Sequence, residues 1–190
     1  MSRLEQLKRL WRTDLYRYEA RTDAKALAHA LVTVPGYRYT FVMRACKVLT
    51  TGRGGAAHAT AVMVMARYSR RYGIGIPFDT EIGEGFYIGH FGGIVVNHRA
   101  RIGRNCNISH GVTLGQTNRG SRAGAPTIGD GVYIGPGAAV IGGITIGNNV
   151  AIGANSVVTD DVPDNAVVAG SPARVISDRG AEAYVNFTDY

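Results

Sequence analysis

The sequence predicts a mostly β chain, with a coil of short strands over its larger part and an α-helical region ahead of it. From Ile76 to Val162 an aliphatic residue returns every sixth position, commonly followed by glycine, whereas the stretch before it carries apolar spacings of three and four. A period of six suits neither an amphipathic helix nor an alternating strand, which recur at about 3.6 and 2 residues. It suits a small unit stacked on itself. The 26 glycines are a further observation, because a chain that turns every few residues needs positions free of a Cβ.

Helices come first in the chain. Leu4, Leu7, Leu10, Trp11, Leu15 and Tyr18 predict an amphipathic helix over residues 1–20. A second covers Asp23 to Val32, with Asp23 as its cap, and Pro35-Gly36 breaks it. A third runs from Tyr39 to Leu49 and a fourth from Ala56 to Tyr72. Helices this short draw their stability from packing, here against one another and over the open end of the coil.

The repeat then sets in, entered through Ile74-Gly75-Ile76-Pro77. Ile76, Ile82, Ile88 and Ile94 are in step; after two extra residues Ile102, Ile108 and Leu114 follow; after a longer break come Ile128, Ile134, Val140, Ile146, Ile152 and Val158. The fifth position of a hexad must be small enough to share the interior, and Cys106, Val112, Val132, Ala138, Val150, Ser156 and Val162 occupy it. Residues 116–127 are polar and lack hexad residues, which predicts an exposed loop beside the coil that carries His110. Thr159 to Asp164 ends the coil. Asp178 to Tyr190 has no strong pattern and reads as a short helix or a loose end. The division expected is a helical region, 1–73, a coil domain, 74–176, and a tail, 177–190.

Composition narrows the function. A net charge of +7 comes mostly from scattered arginines, without a basic run interleaved with aromatics, so nucleic acid is not expected as a partner and a phosphate-rich small molecule is. No run approaches the roughly 18 apolar residues of a membrane span. The N-terminus lacks the apolar core and cleavage site of a secretory signal, which places the protein in the cytoplasm. Cys46 and Cys106 show no metal-site spacing and read as buried thiols.

The Ile-Gly-x-x-small-x hexads resemble those of the hexapeptide-repeat acyltransferases, which implies a left-handed parallel β-helix of three-sided coils. With three sides, every third hexad shares a face, and the hexads of Ile88, Ile108, Ile134 and Ile152 place His90, His110, Pro136 and Ala154 one above another. Two histidines then stand one strand spacing apart, about 4.8 Å. Gly92-Gly93-Ile94-Val95-Val96, Val112-Thr113-Leu114-Gly115, Ile134-Gly135-Pro136-Gly137-Ala138 and Gly170-Ser171-Pro172-Ala173-Arg174 resemble serine O-acetyltransferases. Asp14-Leu15-Tyr16-Arg17-Tyr18, Pro35-Gly36-Tyr37-Arg38 and Ile88-Gly89-His90-Phe91-Gly92-Gly93-Ile94 resemble the members associated with exopolysaccharide and capsule synthesis.

That resemblance implies an acetyl-CoA-dependent O-acetyltransferase. A histidine suits the base, its unperturbed pKa being about 6.5, and His90 is the candidate. His110 orients the acceptor or His90, and backbone N–H groups near Gly115 serve the oxyanion. Coenzyme A is expected along the coil edge near Gly135, Pro136, Ala154, Ser171 and Arg174, with Arg174 on its phosphates. Asp14 is a candidate substrate contact. The chain reads Gly89-His90 where serine acetyltransferases carry Asp-His, and Ala125 where they carry a histidine, so a sugar or polysaccharide-precursor hydroxyl is the expected acceptor and L-serine the alternative. A sugar N-acetyltransferase, and a zinc enzyme of carbonic-anhydrase type using His90, His98 and His110, rank behind these. No metal is expected, and the short helical region implies a single homotrimer.

Overall fold

The computed structural model describes residues 2–52 and 54–190. Four helices open it: α1 (Arg3–Glu19), α2 (Ala24–Thr33), α3 (Pro35–Thr50) and α4 (Ala56–Tyr72). The first was expected over 1–20, of which Met1 lies outside the described residues. Ser2 and Glu5 close a reciprocal capping box on α1. Asp23 caps α2 by accepting the backbone N–H groups of Lys25 and Ala26 at 2.9 and 3.0 Å. Pro35-Gly36 does not separate two helices by a gap; it forms the first turn of α3, where proline's missing N–H and fixed φ are no handicap.

The coil follows. Its first turn holds β1 (Ile74–Gly75), β2 (Glu81–Ile82) and β3 (Tyr87–Ile88); its second β4 (Ile94–Val96), β5 (Arg101–Ile102) and β6 (Asn107–Ile108). The third holds β7 (Thr113–Gly115), β8 (Thr127–Ile128) and β9 (Tyr133–Ile134), and the fourth β10 (Ala139–Ile141), β11 (Thr145–Ile146) and β12 (Ala151–Ile152). A last turn passes β13 (Val157–Val158), a bridge from Val162 to Ile146, and β14 (Val167–Gly170), after which β15 (Ala173–Ser177) returns antiparallel. Stacking gives three sheets, in the orders β1-β4-β7-β10-β13, β11-β8-β5-β2 and β15-β14-β12-β9-β6-β3, with every pairing parallel except β14 with β15. The fold is a parallel β-helix of hexapeptide repeats.

Ile88, Ile108, Ile134 and Ile152 stack in register and are fully enclosed. Each such side chain contributes about 1.5–3 kcal/mol on leaving water. One phase differs from expectation. Ile74, not Ile76, is the partner of Ile94, so the first turn carries the same two-residue extension as the second, and Ile76 takes the place of Val96. The corners between the second and third sheets need left-handed backbone: Gly85, Asn105, Gly131, Asn149 and Asn165 all have positive φ there.

The C-terminal segment is tied down along its length. Tyr184 stacks on Tyr133 at 4.5 Å, Asn107 donates to its carbonyl at 2.8 Å, and Arg17 donates to the carbonyl of Asn186 at 2.7 Å. No helix among the described residues is long and apolar enough to cross a membrane.

Candidate active site

One corner of the coil gathers most of the expected site. The strands of the third sheet each end at it, so His90, His110, Pro136, Ala154 and Gly170 follow one another down a single edge, with Ser171 next after Gly170. Backbone bonds lock successive turns: the N–H of Gly111 donates to Gly92 at 2.8 Å, that of Gly137 to His110 at 2.9 Å and that of Asn155 to Pro136 at 2.8 Å. The imidazoles of His90 and His110 lie edge to face, 5.9 Å between centres. Both are exposed, and neither bonds to a partner among the described residues. They are open to a ligand.

The helices hold the turn that carries His90. The Tyr18 hydroxyl of α1 accepts the N–H of Ile88 at 2.8 Å and donates to its carbonyl at 3.3 Å, so one side chain closes the free edge of β3. Gly36 of α3 packs so closely that a Cβ there would overlap the Ile88 carbonyl. At Gly89 a Cβ would stand 3.0 Å from the Tyr87 ring. None of the residues forming this corner, 89–93, 109–112, 135–138 and 153–156, is acidic.

Two expected residues lie elsewhere. Asp14 is 1% exposed and paired with Arg44 at 3.0 and 3.2 Å; it also accepts the N–H of Phe86 at 2.9 Å. Burial pushes its carboxyl up and the Arg44 guanidinium pulls it back. A group so enclosed fastens α1 and α3 to the coil, away from the histidine corner. Gly115 ends β7 at the corner opposite the histidines, where its carbonyl accepts the N–H of Gly142 at 3.0 Å. The loop after it leaves from that corner too, because β7 crosses a whole face between His110 and the loop. Thr117 and Gly124 bridge the loop into a hairpin, and Arg122 ties it to Asp160 at 3.1 Å. Within one chain the loop does not cover the histidines. His98 also sits at the loop corner, so the three histidines do not converge, and no metal-binding cluster occurs among the described residues.

Of the coenzyme positions, Gly135 is buried with its N–H committed to Ile152 at 2.8 Å, Pro136 is half-buried, and Ala154 and Ser171 are exposed. Arg174 is exposed, with its guanidinium 4.0 Å from Asp160 and 2.8 Å from its neighbour's carbonyl. The repeat gives no sign of what tops this edge. The half-exposed Phe91 meets Tyr72 edge-on at 5.9 Å, and the Arg71 guanidinium lies 5.7 Å from the Tyr72 ring.

Coil and corner together define a hexapeptide-repeat transferase, and residues 125–160 match the family described as bacterial transferase hexapeptide (six repeats). The serine acetyltransferase of Helicobacter pylori is 40% identical over 119 residues, covering 63% of this chain and 68% of that protein. The chain belongs to the serine acetyltransferase family. The crystal structure of Neisseria gonorrhoeae serine acetyltransferase in complex with serine superposes with a TM-score of 0.78 at 32% identity, covering 91% of this chain and 70% of that one. That of the Brucella abortus enzyme in complex with coenzyme A gives 0.76 at 32%, covering 93% and 69%. The chain spans about half the length of the curated relatives it matches, 50% and 43% of two of them. The expected tie to exopolysaccharide and capsule synthesis finds no support in these matches, which carry the serine acetyltransferase name.

Proposed function

We propose that the chain transfers acetyl from acetyl-CoA to an acceptor hydroxyl, with His90 as general base. The observation that carries this is the open His90–His110 pair at 5.9 Å, set on the edge that continues through Pro136 and Ala154 to Ser171. His90 takes the hydroxyl proton as the oxygen attacks the thioester carbonyl, and returns it to the departing sulfur. His110, one rung below, holds the acceptor or the ring of His90. The small side chains below it leave room for an extended thioester, and Arg174 meets phosphates at the far end. The coenzyme A complex of the Brucella relative supports this donor.

The relatives favour L-serine as acceptor, the ligand named for the Neisseria structure. A second reading, a hydroxyl compound without an ammonium group, is favoured by the absence of any acidic residue along the histidine corner. Thiol release from acetyl-CoA, measured with L-serine and separately with sugars and sugar phosphates, tests both. Release with serine alone supports the first reading, release with other hydroxyls alone the second, and release with none of these acceptors counts against the proposed transfer. A homotrimer completes the proposal, since the loop over 116–127 reaches a histidine pair only on a neighbouring copy.

A further inference from the structure

The top of the histidine edge is cationic. Arg67, Arg70 and Arg71 occupy positions i, i+3 and i+4 on the last turns of α4, on one face. They line a hollow of about 270 Å³; a second, of about 170 Å³, is lined by Arg38, Arg67, Tyr68, Arg71 and Tyr72. None of these four arginines pairs with a carboxylate among the described residues, although Arg9, Arg44, Arg101, Arg104 and Arg122 all do. Arg38 is fixed by donating to the Tyr72 hydroxyl at 3.0 Å and to the Val32 carbonyl, and its buried Nε has no partner.

The end of α4 that carries this cluster packs on the turn that holds His90. The carbonyl of Gly73, which caps α4, accepts the N–H of Ile94 at 3.1 Å, so the end of the helix forms the rung above the turn 90–93, about 4.8 Å away. Tyr72 links the two by touching Phe91, the neighbour of His90. Arginines in a last helical turn complement the negative end of the helix. That accounts for Arg70 and Arg71, but not for Arg38 converging on them from α3.

We infer that the cluster is an anion subsite of the acceptor, taking a phosphate or diphosphate group while the acceptor's hydroxyl reaches His90. Guanidinium forks match phosphate oxygens, and several of them suit a multiply charged group better than one carboxylate, which a single fork satisfies. With no acidic residue at the corner, an anionic acceptor is the one this edge complements. The inference rests on His90 being the base, and the two are tested separately.

The experiment is a calorimetric titration of pyrophosphate, and of inorganic phosphate, into protein held saturated with coenzyme A, so that coenzyme phosphates already fill their own site. Binding is expected, and the double variant Arg67→Gln/Arg71→Gln weakens it by about tenfold or more through lost charge-assisted bonds, with coenzyme A affinity unchanged. Tighter binding of pyrophosphate points to a diphosphate-bearing acceptor, equal binding to a phosphate monoester. No binding, or equal binding by the double variant, overturns the subsite. So does a double variant that fails to assemble in sedimentation, which makes the cluster a subunit contact. His90→Ala leaves this titration unchanged, so its turnover judges the base without touching the subsite.

Discussion

His90 and His110, twenty residues apart in the chain, meet edge to face at 5.9 Å because one full turn of the coil separates them. Register alone brings them together. The N–H of Gly111 bonds to Gly92 and the carbonyl of His110 to Gly137, so the backbone fixes both positions while the rings stay free. Replacing His110 by alanine is expected to raise the KM for the acceptor more than it lowers kcat, measured under saturating acetyl-CoA. A loss confined to kcat and as deep as that of His90→Ala would give His110 the base role instead.

Among the described residues, Tyr18 is the one side chain that hydrogen-bonds to the free edge of β3. Tyr18→Phe leaves the N–H of Ile88 without an acceptor, a cost of about 1–3 kcal/mol. The expected result is a lower melting temperature together with reduced turnover, since the rung it pins carries His90, and unchanged coenzyme A binding. Full activity in a destabilised variant would separate the pin from the site.

Asp14 and Arg44 are both almost wholly buried, 1% and 2% exposed. Asp14→Ala strands a guanidinium that also donates to the carbonyls of Ile82 and Gly83, and is expected to cost about 3–5 kcal/mol in chemical unfolding. The paired change Asp14→Leu/Arg44→Met should cost much less than Asp14→Ala alone. Equal losses would show that the pair does more than neutralise itself.

Burial pushes the Cys106 thiol up to about 12. Because the raised value keeps it protonated, iodoacetamide at pH 8 should leave Cys106 unmodified in the native protein and label it after unfolding, as read by peptide mass spectrometry. Labelling of the native protein would mean that the second turn opens.

Much of this architecture was legible because each hexad states its own place: the aliphatic position gives the interior and the fifth gives the small neighbour. The fourth position carried a further signal, glycine or asparagine in left-handed backbone, at Gly85, Asn105, Gly111, Gly131, Gly137, Asn149 and Asn155. The phase at Ile74 was missed because Ile76 also lies six residues before Ile82, and only the pairing with Ile94 decides between them. The burial of Asp14 was not legible, since its partner is thirty residues away and nothing local announces that the pair is enclosed. The loop's corner follows from counting faces after His110, which sequence proximity conceals. Arginines on α4 carry no repeat to index them, so the packing of their helix end on the turn of His90 emerges only from the fold.

The most direct test is the turnover of His90→Ala on an accepted hydroxyl substrate at saturating acetyl-CoA, with coenzyme A affinity and assembly checked on the same sample. The account predicts a fall of roughly 10² to 10⁴ in kcat with both controls unchanged, as the loss of a general base requires. Undiminished turnover in an intact, coenzyme-binding His90→Ala protein would contradict it.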